Sequence, residues 1–200
     1  MTLWIATGNE KKKKEILALL DGFPVELKTL ADLGKPFEVV EDKPDFTGNA
    51  IKKATELYQL TGDWCLADDS GLEVDDLNGE PGVYSARYAG EPSDDSRNNQ
   101  KLLNAIRSIE KPKAQFHCSI ALAGSGGIFT SEGIIRGYLI HHLQGTTGFG
   151  YDPLFVPDGF SETFAQLGAE IKNKISHRAQ ALNQIKPVLL NKLNPNRSEN

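Results

Sequence analysis

Cysteine is nearly absent from this 200-residue chain, and so is any long apolar run. The two cysteines, Cys65 and Cys118, sit in separate strand-like apolar runs with no CxxC spacing, which favours buried free thiols over a disulfide or a metal knot. No stretch approaches 18 apolar residues, and the opening MTLWIA is too short for a signal peptide or a span, so the expected location is the cytoplasm with no membrane partner. Positive charge is scarce as well: the net charge is −5, and no basic tract exists beyond Lys11 to Lys14, which argues against a nucleic-acid polymer as partner. A nucleotide arriving with magnesium is not excluded. There is no GxxxxGK(S/T) loop and no GxGxxG, and internal repeats and low-complexity segments are missing too. The 39% hydrophobic and 24% charged residues that remain suit one globular domain, or two closely packed lobes, with a core that needs no staples.

What is present is concentrated between Leu66 and Gly90. The apolar run Trp64 to Ala67 reads as a buried strand ending at Asp68 and Asp69, with Ser70-Gly71 turning the chain so that both acids can face one spot. Glu73, Asp75 and Asp76 follow, giving five carboxylates within nine residues, and such crowding is costly unless a cation offsets it. A solvated acidic loop and a metal site both remain open. An EF-hand is excluded, because a loop started at Asp68 puts Glu73, and one started at Asp69 puts Val74, where glycine is required. Magnesium, held by few carboxylates and completed by substrate phosphate, is the better fit.

Leu3 to Ala6 reads as a first strand and Thr7-Gly8-Asn9 as a turn into a helix from Glu10, which ends at Asp21-Gly22. The helix opening brings Thr7, Gly8, Asn9 and Lys12 together, and its unpaired N–H groups suit an anion. At 100° per residue only one or two of the four lysines can face that mouth, and Lys12 is the candidate. A helix cap and a phosphate site both remain open here. Val25 to Leu30 is a second strand. Ala50, Ile51, Ala54, Leu57 and Tyr58 mark a helix over about 48–60, and residues 94–109 a packing helix capped by Ser93 or Asp94. Gln115 to Ala123 and Ile128 to Gly133 form a hairpin, with more strand-like sequence from Ile134 to His142. The glycine-dense stretch from Gly145 to Pro153 lets backbone approach a ligand and offers Phe149 as an aromatic face. Ser176 caps a last helix with Ala179, Leu182, Ile185 and Leu189 inward; Arg178 in its first turn opposes the helix dipole and so calls for an anionic partner, whereas His177 reads equally as structural or as a ligand contact. Residues 194–200 read as a frayed tail.

The motifs TGNEKK (7–12), GNAIKKA (48–54), ADDSGLEVDDLNGEPGVYSARYAG (67–90), GFGYDPLF (148–155) and KNKISHRAQAL (172–182) occur in one order along nearly the whole chain. On these the chain resembles the inosine triphosphate pyrophosphatase family, in its bacterial dITP/XTP branch, which clears deaminated purine nucleotides. The resemblance implies an α/β fold over 1–200 with two lobes around a long curved mixed β-sheet flanked by helices, the active site in the cleft between them, and a homodimer. It implies Mg2+-assisted hydrolysis of dITP, ITP or XTP to monophosphate and pyrophosphate by water attack at the α-phosphorus. It assigns phosphate and substrate contacts to Thr7, Gly8, Asn9, Glu10, Lys11, Lys12, Lys53 and Ser70, and the metal to Glu41, Asp69 and Asp68, with Asp69 also the general base. Phe149, Gly150, Tyr151, Asp152, Lys172, His177 and Arg178 would form the base pocket, with Arg178 and Lys172 as donors to a 6-oxo purine. One departure stands out. The family's ETGxTFxENA is here Glu41-Asp42-Lys43-Pro44-Asp45-Phe46-Thr47-Gly48-Asn49-Ala50, so Lys43, Asp45 and Gly48 replace a glycine, a threonine and an acid. That altered loop motivates one rival reading, a nucleotide-binding or sensing protein with little turnover. A second rival is a broad magnesium phosphoesterase.

Overall fold

The computed structural model describes residues 2–193, so the expectation of a frayed tail at 194–200 lies outside the described residues. The chain runs β1 (Thr2–Ile5), α1 (Glu10–Leu19), β2 (Glu26–Thr29), α2 (Phe46–Thr61), β3 (Trp64–Val74), α3 (Asp95–Ile106), β4 (Lys113–Gly124), β5 (Gly127–Leu139), β6 (Phe155–Pro157), α4 (Phe164–Ile175) and α5 (His177–Leu193). The strands form a six-stranded sheet in the order β2-β1-β3-β4-β5-β6. It is mixed, as expected: β1 is parallel to β2 (Leu3 opposite Leu27) and to β3 (Trp4 opposite Cys65), and β5 is antiparallel to β6. No helix among the described residues is long and apolar enough to cross a membrane.

The described residues divide into two compact units, residues 2–69, 118–133 and 178–193, and residues 70–117 and 134–177. In the first, alternation along the strands sends successive side chains to opposite faces. Leu3, Ile5, Leu66, Cys118, Ile120 and Leu122 pack with Ile16 of α1, with Leu20 just after it, and with Leu182, Ile185 and Leu189 of α5. Trp4, Ala6, Cys65, Ala67, Ala121 and Ala123 pack with Ala50, Ala54 and Leu57 of α2, alanines that let this helix lie close. Both thiols are buried and free as expected, and burial pushes Cys65 up to about 11 and Cys118 to about 12. In the second unit Leu72 and Val74 of β3, Phe116 of β4, Leu139 of β5 and Phe155 of β6 enclose Leu102 and Ile106 of α3 and Phe164 of α4.

Three expectations are corrected. The strand does not end at Asp68-Asp69: Ser70 and Gly71 continue β3 without a turn, because buried cations described below offset the charge that would otherwise terminate it. The two strand-like pieces after Gly127 are one strand, β5. The sequence reading placed nothing over 164–175, where α4 forms. Thr163 and Gln166 make a capping box there, and Thr163 Oγ1 also donates to Gln144 O at 2.8 Å. Gly168, at φ 78°, interrupts the helical run and conceals its periodicity. Thr163→Ala removes the cap and that bond together, and the expected loss of about 1–2 kcal/mol is measurable by urea unfolding of the purified protein.

Candidate active site

The unbroken geometry of β3 decides what Asp68 and Asp69 do. Leu66 faces α1 and α5 and Ala67 faces α2, so continuing the alternation sends Asp68 toward the first pair and Asp69 toward α2. The contacts follow that parity. Arg178 at the start of α5 donates to Asp68 Oδ2 through Nε at 3.2 Å and Nη2 at 3.1 Å, while its Nη1 binds Glu15 of α1. Asp69 Oδ2 instead accepts from Asn49 Nδ2 of α2 at 3.0 Å, and its Oδ1 lies 3.8 Å from Lys53 Nζ. Lys12 Nζ reaches both acids, 3.6 Å from Asp68 Oδ2 and 3.9 Å from Asp69 Oδ1.

These surroundings drive the two carboxyls apart. Burial opposes the charge of Asp68, yet Lys12, Arg178 and Lys53 together outweigh it and hold the acid well below the usual carboxylate range. For Asp69 burial is again the largest influence and here it prevails: Lys12, Lys53 and Asn49 favour the charged form, Glu41 disfavours it, and the net shift is upward. The two neighbouring acids thus differ: Asp68 is held as an anion, and Asp69 is the readier of the two to take a proton. Lys53 is pulled toward neutrality by burial, but Asp69, Asp68 and Glu41 reverse this and keep it charged. It donates to Glu41 Oε1 at 2.5 Å and to the Asp68 carbonyl at 2.6 Å.

Among the described residues no group of three or more His, Cys, Asp and Glu side chains is placed to hold a metal. Asp68 accepts from Arg178, Glu73 meets Gln115 and His117, and Asp75 and Asp76 are exposed in a short 3-10 turn. Glu41 and Asp69 share the ammonium of Lys53, and these two oxygen donors about one cation fit a hard ion that binds through one or two carboxylates and takes its other ligands from phosphate and water.

At the opening of α1 the cap reading holds, since Asn9 Oδ1 accepts from Lys11 N and Lys12 N at 3.0 and 3.1 Å, and Thr7 Oγ1 accepts from Asn9 N at 3.2 Å. Gly8, Asn9, Glu10 and Lys11 are exposed. The unusual loop before α2 is internally consistent. Asp45 caps the helix by accepting from Gly48 N at 2.6 Å, and Asn49 Oδ1 accepts from Lys43 N at 3.0 Å, so Asn49 ties this loop to Asp69. A side chain at 48 would put its Cβ 2.8 Å from Lys43 Cβ, so Lys43 requires the glycine.

The second unit holds most of the predicted base pocket. Gly148 has φ 75°, and a Cβ there would overlap Asp152 Oδ2, the oxygen that accepts from Phe149 N at 2.8 Å and from Lys172 Nζ at 2.5 Å. Lys172 Nζ lies 4.5 Å from the Phe149 ring centroid, a cation–π arrangement, and both Lys172 and Asp152 are buried. Tyr151 OH donates to Ser85 O at 2.8 Å, and Gly150 is held through both backbone groups by Asp95 and Asn99. His177 stacks on Phe116 with ring centroids 4.8 Å apart and planes 11° apart. Ser70 is half-buried in β3. The buried Arg178 guanidinium lies between the carboxylates of Asp68 and Glu15, which is the anionic partner its helix position called for. Glu15, Asp95 and Asn99 went unnoticed in the sequence, where each reads as an ordinary helical polar residue.

A mixed-sheet α/β protein with a charge-differentiated aspartate pair and a glycine-framed aromatic loop is thus the class defined. Residues 3–188 match the model of the Ham1 family, and the chain belongs to it, as its motifs indicated. It is 48% identical over 190 residues to the dITP/XTP pyrophosphatase of Geobacter sulfurreducens, covering 94% of this chain and 96% of the relative. It is 46% identical over 192 residues to the protein of that name from Desulforamulus reducens, at the same coverages of 94% and 96%. Among solved structures, the Staphylococcus aureus Ham1 protein superposes with a TM-score of 0.87 at 37% identity, covering 96% of this chain and 100% of that one. The Mycobacterium abscessus nucleoside-triphosphatase / dITP/XTP pyrophosphatase gives 0.76 at 40% identity, with coverages of 94% and 100%.

Two outcomes are expected. Asp68→Ala takes one carboxylate away from the buried Arg178 guanidinium and destabilises the fold by about 3–5 kcal/mol in chemical denaturation. Gly48→Glu costs about 1–3 kcal/mol by overpacking, and adding Lys43→Gly recovers most of it; a double-mutant cycle with no coupling would refute the contact.

Proposed function

We propose that this protein hydrolyses deaminated purine nucleoside triphosphates (dITP, ITP and XTP) to the monophosphate and pyrophosphate. The observation that carries the reading is the split pair: Asp68 a permanent anion within a cationic shell, Asp69 beside it with its carboxyl raised and lysines at hand. The names borne by relatives at 46–48% identity support the substrate class.

In this reading the helix opening at Thr7 to Lys12, with Lys53, binds and orients the phosphates. Asp69, oriented by Asn49, takes a proton from water as its oxygen bonds to the α-phosphorus, and the bond to the pyrophosphate oxygen breaks. Mg2+ would be held by Glu41 and Asp69, and when bound it offsets phosphate charge. Arg178, braced by Glu15, fixes Asp68 and with it the strand on which Asp69 rides. Selection belongs to the second unit: Phe149 offers a stacking face, and Lys172, set by Asp152, supplies the positive donor that suits a 6-oxo acceptor and leaves the amino group of adenine facing a donor. A homodimer and a cytoplasmic location are part of the same proposal.

The test incubates the protein and magnesium with dITP, XTP, dGTP and dATP in parallel and assays nucleotides and pyrophosphate. Rapid conversion of dITP and XTP alone, with equimolar pyrophosphate, is expected. Equal turnover of all four, or release of orthophosphate, would point to a broad phosphoesterase, and tight binding without turnover to a sensor. Asp69→Asn is expected to lower kcat by about 10²–10⁴ with a near-wild-type melting temperature, because burial already disfavours the charge that it removes.

A further inference from the structure

Helix α3 looks like packing, yet the face at its N-terminal end is polar and buried. Asp94 spends its side chain on the cap, accepting from Arg97 N at 2.8 Å. The next residues turn inward. Asn98 and Asn99 are 3% and 6% exposed, positions where a helix gains more from leucine or alanine. Their bonds go to two loops. Asn98 accepts from Ala89 N at 2.7 Å and donates to Ala86 O at 2.9 Å, holding the turn that contains Ser85, whose carbonyl in turn accepts from Tyr151 OH. Asp95 and Asn99, one helical turn apart and hence on one face, hold Gly150: its N–H donates to Asp95 Oδ2 at 2.8 Å and its carbonyl accepts from Asn99 Nδ2 at 2.9 Å. Asn99 Oδ1 is buried with no hydrogen-bond partner, so the side chain is kept there by its donor. Gly150 lies at φ 60°, a conformation natural to glycine.

We infer that Asp95 and Asn99 are positioning residues for purine selection: by gripping Gly150 they set the Phe149 ring relative to the Lys172 ammonium. Phe149 then sits between two fixed points, its own N–H on Asp152 and the following residue on α3. Leu102 and Ile106 root the same helix in the core, so the grip is on a rigid element rather than on another loop. This inference rests on the proposed function, within which it assigns base selection to residues that touch no substrate.

The variants are Asp95→Ala, Asn99→Leu and the conservative Asp95→Asn, which keeps an acceptor for Gly150 N. Readouts are KM and kcat for dITP, the dITP:dATP ratio of kcat/KM, calorimetric affinity for inosine monophosphate, and inhibition by inorganic tripolyphosphate, which has no base. For Asp95→Ala and Asn99→Leu the expectation is a roughly tenfold rise in KM, a matching loss of inosine monophosphate affinity and a narrowed dITP:dATP ratio, from one lost bond each. Tripolyphosphate inhibition and kcat are expected within about twofold of wild type, and Asp95→Asn near wild type throughout. Unchanged inosine monophosphate affinity, or parallel weakening of tripolyphosphate, overturns the inference. A wild type that binds inosine monophosphate but does not turn over dITP sinks the proposed reaction alone, since the affinity comparison still stands; one that binds no purine nucleotide sinks both.

Discussion

The fully buried charge on Asp68 is the constraint around which the first unit is arranged. An isolated carboxylate in such a place would protonate or unfold its surroundings. Here it is met by Arg178 from the start of α5 and by Lys12 from the first turn of α1, while Lys53 of α2 takes the Asp68 carbonyl. Three helices are thereby drawn to one point on β3. The cation at the N-terminus of α5, unfavourable toward the helix dipole taken alone, becomes favourable once two acids surround it.

The alternation of a β-strand does the rest of the sorting. Because β3 runs straight through Asp68-Asp69, adjacent residues of one chemical type receive different helices and different fates. Asp68 goes to the side closed by α1 and α5, and Asp69 to the side of α2, where Asn49 and Lys53 meet it; Lys12 of α1 reaches both. A turn at Ser70-Gly71 would have exposed both acids to the same partners and erased the distinction. The second unit reaches a fixed geometry by other means, with backbone groups of a glycine-rich loop tied to an acid and an amide on a helix and one carboxylate oxygen receiving both an N–H and an ammonium.

Local pattern carried much of this into the sequence. The turn into α1, the stripe Ala50-Ala54-Leu57, the alternation of β4 and the inward face of α5 are readable because each depends on residues a few positions apart. The errors arise where the deciding partner is remote. The acids in β3 mimic a strand end until Arg178 is brought in from 110 positions away, and the burial of Asn98 and Asn99 becomes evident only when Gly150 arrives 51 positions after Asn99. α4 was missed for a local reason, the left-handed Gly168 in its path, although Thr163 and Gln166 had marked its beginning. The family motifs named candidate site residues; they did not reveal that Arg178 bonds Asp68 and Glu15.

The packing of Lys43 against Gly48 also bears on how this chain can change. Position 43 acts as a gate for position 48: while a side chain stands at 43, larger residues at 48 are closed off, and they become reachable once 43 is reduced to glycine. The same two replacements made in the opposite order pass through a crowded intermediate. The order of the two changes is therefore constrained, with the first step always taken through glycine at both positions.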